Sequence, residues 1–350
     1  MHDKFGAAGR MRWGWFIAFA LVLVLLPLAT DTGTPTLLCI YALFALSLGL
    51  MWGYAGILSF GHAAYFGLGA YTYAITSMNA GESTAALLLA MLLPAIVAAV
   101  IGAMMFYGRI SDVYMGVITL VVTLIMFKFM NQTAGDAYRI GTARLGGFNG
   151  IPAFPILNVP GDPSLTIFGT PFYYFTAVCL LGCYLLSRWI LHSSFGRVLI
   201  GIRENEARAE LLGYNAPAYK TAIFSITAAM AGLAGCLFAN WAEIVTPTVF
   251  SLGQSAEVII WVVAGGLGTL VGPMLGAAVL GMLKLLLGTQ TLIDNSLVLG
   301  TILILVVLLV PRGIAPAFAA WRVRSSQAGA SRQAMGGTRR RRRGGKVDQR

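Results

Sequence analysis

Charge is scarce in this chain: only 11% of its 350 residues are Asp, Glu, Lys or Arg, against about a quarter in an ordinary soluble domain. Histidine is rarer, with three scattered copies and no His-Glu-x-x-His, which excludes the helix-borne zinc site of a metalloprotease. No Gly-x-x-x-x-Gly-Lys-Ser/Thr stretch is present to cradle ATP phosphates; the Gly345-Lys346 pair is followed by Val347. The run Gly265-Gly266-Leu267-Gly268, with Gly272 beyond it, misses the dinucleotide fingerprint and has no strand before it. Cys39, Cys179, Cys183 and Cys236 all lie in apolar runs without a neighbouring His, so they read as small buried hydrophobes. These absences leave no familiar motif on which to found an enzyme.

What the chain has is hydrocarbon. Apolar residues make up 58% of it and the mean hydropathy is +0.79, more than a water-soluble fold can hide. A spanning helix needs roughly 20 mostly apolar residues. The expectation is therefore an all-α polytopic membrane protein of about ten transmembrane helices, some broken or re-entrant. Continuous spans are expected at Trp13 to Ala29, Thr36 to Trp52, Ala85 to Phe106, Val113 to Met130, Phe172 to Leu191, Thr221 to Trp241 and Leu297 to Val310. Two further apolar regions are rich in glycine, Gly56 to Met78 and Ala256 to Leu287, the second long enough for two short spans or a span with a half-helix. The membrane domain thus covers 13–311, between a short segment 1–12 and a tail 312–350.

Orientation follows from Lys and Arg, which stay cytoplasmic near helix ends. Lys4, Arg10 and Arg12 precede the first span, Arg109 occupies a short loop, and Arg197, Arg203 and Arg208 share the loop 192–220. Both termini and that loop are expected inside. The Gly- and Pro-rich loop 131–170, where Arg139 and Arg144 are balanced by Asp136 and Asp162, is expected outside. The first span has the look of a secretory signal, yet further hydrophobic segments follow, so an uncleaved anchor is expected. The tail carries arginine at every position from Arg339 to Arg343 and is expected to be disordered, solvated or resting on anionic lipid. It has no aromatic platform or folded module, so no nucleic-acid partner is expected.

Three features carry chemical information. The stretch Gly56 to Tyr71 places Ser59, Gly61, His62, Tyr65 and Tyr71 in one glycine-punctuated segment, where polar groups need partners or water. Gly268, Gly272 and Gly276 recur every four residues beside Pro273, downstream of Gly265 and Gly266. Such a ladder serves either tight helix packing or a broken helix whose freed backbone lines a substrate path. In the loop 192–220, the run Arg203 to Leu212 favours a short helix. Glu204 and Arg208 are four apart, Ala207, Leu211 and Leu212 form an apolar stripe, and Gly213 can end the last turn. That helix is either solvated or a knob for a soluble partner.

Gly53 to Tyr71, Phe195 to Tyr214 and Val262 to Gly281 together resemble the permease subunits of branched-chain amino acid ABC importers. The likeness extends from about the second span to Pro311, and within the family to the permease with the longer central outward loop. Glu206, Ala207 and Gly213 resemble the Glu-Ala-Ala...Gly coupling signature of ABC importers, although Arg208 takes the third position and the glycine falls one residue late. The resemblance implies a pathway past Ser59, Gly61, His62, Tyr65, Gly265, Gly266, Gly268 and Gly272. It implies ATPase coupling through Arg203, Glu204, Glu206, Ala207, Glu210 and Gly213. Implied partners are a second permease, cytoplasmic ATPase subunits that use the ATP, and a periplasmic binding protein, in a bacterial inner membrane; this chain itself would bind no cofactor. Similar permeases handle urea and short amides. Two other readings stay open: an ion-coupled transporter, for which Glu257 is the one plausible intramembrane carboxylate, and an intramembrane enzyme built on Ser59 and His62.

Overall fold

Backbone polar groups find no partners in lipid, so a spanning run must close its hydrogen bonds internally as a helix. The computed structural model describes residues 31–288, together with Pro27 and Gly300. Apart from those two residues, the expected spans Trp13 to Ala29 and Leu297 to Val310, the segment 1–12 and the basic tail lie outside the described residues. Among the described residues, 5 helices are long and apolar enough to cross a membrane. They are α1 (Gly33–Leu50, extended by a π-helical turn Met51–Ala55), α3 (Ser83–Tyr107), α4 (Asp112–Gln132), α5 (Thr170–His192) and α8 (Ala216–Ala242). Each contains one of the expected continuous spans. The chain is an all-α polytopic membrane protein.

The two glycine-rich regions are broken, as expected. In the first, residues 56–61 are non-helical and α2 (His62–Ala80) follows. In the second, α9 (Leu252–Gly265) and α10 (Val271–Gly288) are separated by a turn. Helix α2 is more polar than its neighbours and is mostly buried, packed along α3 and α8 and touched by Phe44 and Ser47 of α1. Gly69 of α2 and Gly232 of α8 bring those two backbones together, and Gly232 also lies under the ring of Pro94 in α3. Central helix α1 is apolar on every face and 89% buried, whereas α3 and α4 are only 22% and 28% buried and turn long apolar faces outward.

The segment 133–169 folds into short strands over one end of the bundle: β1 (Arg139–Ile140) with β2 (Ala143–Arg144), and β4 (Asn158–Val159) with β5 (Asp162–Thr166), all antiparallel. β3 (Ile151–Pro152) pairs antiparallel with β6 (Ile244–Val245), which follows α8. Side-chain amides clamp this cap to the helices: Asn240 Oδ1 accepts from the N–H of Leu157 at 2.7 Å, and Asn158 Oδ1 from that of Ser83 at 2.9 Å. Helix α5 then runs straight from the cap to two short helices, α6 (Ser194–Glu204) and α7 (Glu206–Leu211). At about 1.5 Å per residue it spans roughly 35 Å, which puts the cap and the α6–α7 loop at opposite ends.

Candidate functional site

The broken segment begins where Gly56 closes the π-helical turn in a left-handed conformation, φ 75°, its N–H bonded to Trp52 O at 3.2 Å. Five residues later the chain has reached mid-bundle. Thr123 Oγ1, at the midpoint of α4, donates to Gly61 O at 3.0 Å, and any Cβ on Gly61 would strike the Thr119 carbonyl. Helix α2 starts there without a side-chain cap. His62 Nε2 lies 2.8 Å from Ser47 Oγ, and that hydroxyl gives its proton to Phe44 O at 2.6 Å. His62 also stacks on Phe44 at 5.5 Å. Tyr65 stands edge-on to Phe224 at 5.5 Å.

Ser59, Gly61, His62 and Tyr65 are thus brought together, but inside the packing of α1, α2, α4 and α8, all of them buried. Ser59 Oγ and His62 Nδ1 have no hydrogen-bond partner among the described residues, so Ser59 and His62 do not form a nucleophile–base pair.

In the α9–α10 hairpin, Gly265, Gly272 and Gly276 face one another. A Cβ on Gly276 would lie 2.8 Å from the Gly265 nitrogen, and one on Gly272 would lie 2.6 Å from Gly265 O. The expected single-face ladder is corrected in one place. Gly268 belongs to the turn, at φ 80°, not to the helix with Gly272 and Gly276, because Gly266 at φ 108° has already ended α9. Pro273 likewise interrupts nothing: it occupies the first turn of α10, where its missing N–H costs little. Its ring packs on Gly49 of α1, 2.5 Å from where a Cβ would stand. Across the hairpin Lys284 Nζ donates to both carboxylate oxygens of Glu257, at 2.6 and 2.8 Å. Glu257 is therefore ion-paired within the chain rather than left as a lone carboxylate.

In the loop 192–220 the expected helix from Arg203 to Leu212 is two helices. Asn205, at φ −161° and ψ 98°, breaks it and caps α7, its Oδ1 accepting from the Arg208 N–H at 2.9 Å. Gly213 ends α7 at φ 89°. Ala209 is buried against Ile202 and Ala216, whereas Ala207 is exposed, as are Leu211 at 89% and Leu212 at 73%. Two acidic residues are engaged within the chain: Glu206 with Lys220 at 2.5 Å and Glu210 with Arg109 at 3.4 Å. Glu204 is exposed. A hollow of about 400 Å³ lies between α6 and α7, lined in part by Arg197, Arg208 and Leu212.

These three regions converge at Gly53. The Arg203 guanidinium at the end of α6 donates to Gly53 O, and the Arg203 stem packs where a Cβ on Gly56 would stand, 3.1 Å from Cγ. A Cβ on Gly53 would lie 3.0 Å from the Gly268 nitrogen in the hairpin turn. Loop, broken segment and hairpin thus share one junction. Sequence reasoning missed Gly53, Thr119, Thr123 and Lys284. Of these, Lys284 had a visible signal, as a lone cation in an apolar run that also holds Glu257.

The family model for the branched-chain amino acid transport system permease component matches residues 32–309. The chain belongs to that permease family. The permease is 28% identical over 329 residues to the high-affinity branched-chain amino acid transport system permease protein LivM of Escherichia coli (strain K12), covering 86% of this chain and 74% of that one. It is 32% identical over 139 residues to LivH of Salmonella typhimurium, a permease protein of the same kind of system, covering 39% of this chain and 44% of that one. A 123-residue stretch, 33% of this chain and 38% of the relative, is 31% identical to the ribose import permease protein RbsC of Escherichia coli (strain K12). No solved structure matches the permease.

Proposed function

We propose that the chain is the transmembrane permease subunit of an ATP-driven importer of branched-chain amino acids. It forms half of the translocation pathway with a second, related permease and takes its energy from separate ATPase subunits. A substrate-binding protein delivers the amino acid at the capped end of the bundle, and the α6–α7 end faces the cytoplasm. The observation that carries this reading is the junction at Gly53. A loop with exposed apolar side chains at one end of the membrane domain is tied by Arg203 to the broken segment and, through Gly53, to the glycine hairpin. Coupling demands such an arrangement, because closure of an ATPase can bias the pathway only through a contact whose energy differs between the two states.

The likeness to LivM over 86% of the chain favours leucine, isoleucine and valine as cargo. Affinity purification of the tagged chain from its own membranes tests the assembly: a second permease and an ATPase carrying a phosphate loop are expected in the same complex. Recovery of the chain free of any ATPase, under conditions that keep other membrane complexes intact, would refute the assignment.

A further inference from the structure

Between Gly56, which closes the π-helical turn, and Gly61, which opens α2, residues 57–60 run outside any helix from the α6–α7 end of the bundle to its middle. Burial alternates along them: Ile57, Ser59 and Gly61 are buried, whereas Leu58 is half-buried and Gly56 and Phe60 are exposed. Phe60 is 39% exposed although it adjoins Gly61, which is bonded at the midpoint of α4. Among the described residues, the N–H groups of Ile57 through Gly61 have no backbone acceptor. Irregular backbone of this kind does not occur against lipid hydrocarbon. It is tolerated only where protein covers it or where it lines a water-filled cavity. The outward edge of the segment is therefore a different surface from the apolar face of α3, whose backbone is helical and suits lipid.

The adjoining part of α4 is shaped to this edge. Gly116 lies beneath the Phe60 ring, where a Cβ would come within 2.7 Å of Cδ2, so the ring rests flush against the helix. We infer that Leu58 and Phe60, over Gly116, form a wall of the translocation pathway that meets the aliphatic side chain of the passing amino acid. The unpaired backbone groups beside them supply hydrogen bonds to water or to the charged ends of the substrate. This rests on the permease reading, and it changes which residues carry the pathway: Ser59 and His62 lie buried behind the segment, His62 bonded to Ser47, and Leu58 and Phe60 face the substrate. Arg203 links the wall to the loop, since it touches Gly53 and Gly56 at the root of the same segment.

The test uses the assembled transporter, with Cys39, Cys179, Cys183 and Cys236 replaced and single cysteines introduced one at a time. Leu58→Cys and Phe60→Cys probe the wall. Ile57→Cys, from a position 3% exposed, and Leu92→Cys, from an outward position on α3 that is 53% exposed, serve as controls. A charged methanethiosulfonate reagent, which modifies water-exposed thiolates, is applied from both sides of the membrane. Both wall cysteines are expected to react faster than both controls, by on the order of tenfold, and excess leucine with its binding protein is expected to slow them. Reaction at the wall no faster than at Leu92→Cys would overturn the inference, because that surface would then be dry. Using two wall positions keeps the test intact if one variant fails to accumulate. Fast reaction that leucine leaves unchanged would uphold the wall and count against the branched-chain cargo.

Discussion

Gly276→Leu is expected to reduce leucine uptake by the assembled transporter to background, while Gly182→Leu leaves it at the wild-type rate. Both glycines sit in apolar helices, so composition does not separate them. At Gly276 the nearest atoms to an added Cβ are main-chain atoms, the Gly265 nitrogen at 2.8 Å and its Cα at 3.0 Å, together with the Trp261 carbonyl. Backbone cannot rotate aside as a side chain can. Overpacking typically costs about 1–3 kcal/mol where side chains yield, and here the hairpin itself must open. Opening it moves Gly268 away from Gly53 and so disturbs the junction with α6. At Gly182, on α5, an added Cβ meets nothing within 4 Å. Uptake measured at matched membrane levels of the two variants checks the contrast. Equal activity would mean that the hairpin contact is not needed for transport.

Leu211→Glu and Ala207→Trp are expected to separate ATP hydrolysis from uptake without preventing membrane insertion. Both side chains are exposed on the α6–α7 loop, so the fold has little to lose. If they seat against an ATPase subunit, loss of a central apolar anchor costs about 2 kcal/mol or more, which is roughly thirtyfold in association. Recovery of the ATPase with each variant is the measurement, with uptake alongside. Glu206→Lys is less informative, because Glu206 already binds Lys220, and reversing its charge would set two cations together inside this chain. Wild-type recovery and uptake in both exposed variants would reduce the loop to a solvated connector.

The spanning helices were legible because length and hydropathy decide them: the run Ala85 to Phe106 lies within α3 and Phe172 to Leu191 within α5. The breaks near Gly56 and Gly266 were legible too, since glycine in an apolar run weakens a helix. The direction in which residues point was not. Ser59 and His62 look like pathway groups in a sequence, because polar side chains are conspicuous there, yet both are buried while Leu58 and Phe60 beside them are not. Only the burial of Ser59 and the pairing of His62 with Ser47 show that the polar ones point inward. The split at Asn205 went unread for a related reason. Glu204 and Arg208 have good helical spacing, but the Asn205 side chain competes for the backbone and starts a new helix between them. Lys284 finds Glu257 across a 27-residue separation that only the turn at Gly266 to Gly268 closes.

The most direct measurement reconstitutes the purified complex in proteoliposomes and follows radiolabelled leucine in the presence of its binding protein. Uptake is predicted to require ATP on the side of the α6–α7 loop, to persist when ion gradients are collapsed, and to vanish when this chain is omitted. Leucine uptake by this chain alone, driven by a sodium or proton gradient without ATP, would contradict the account.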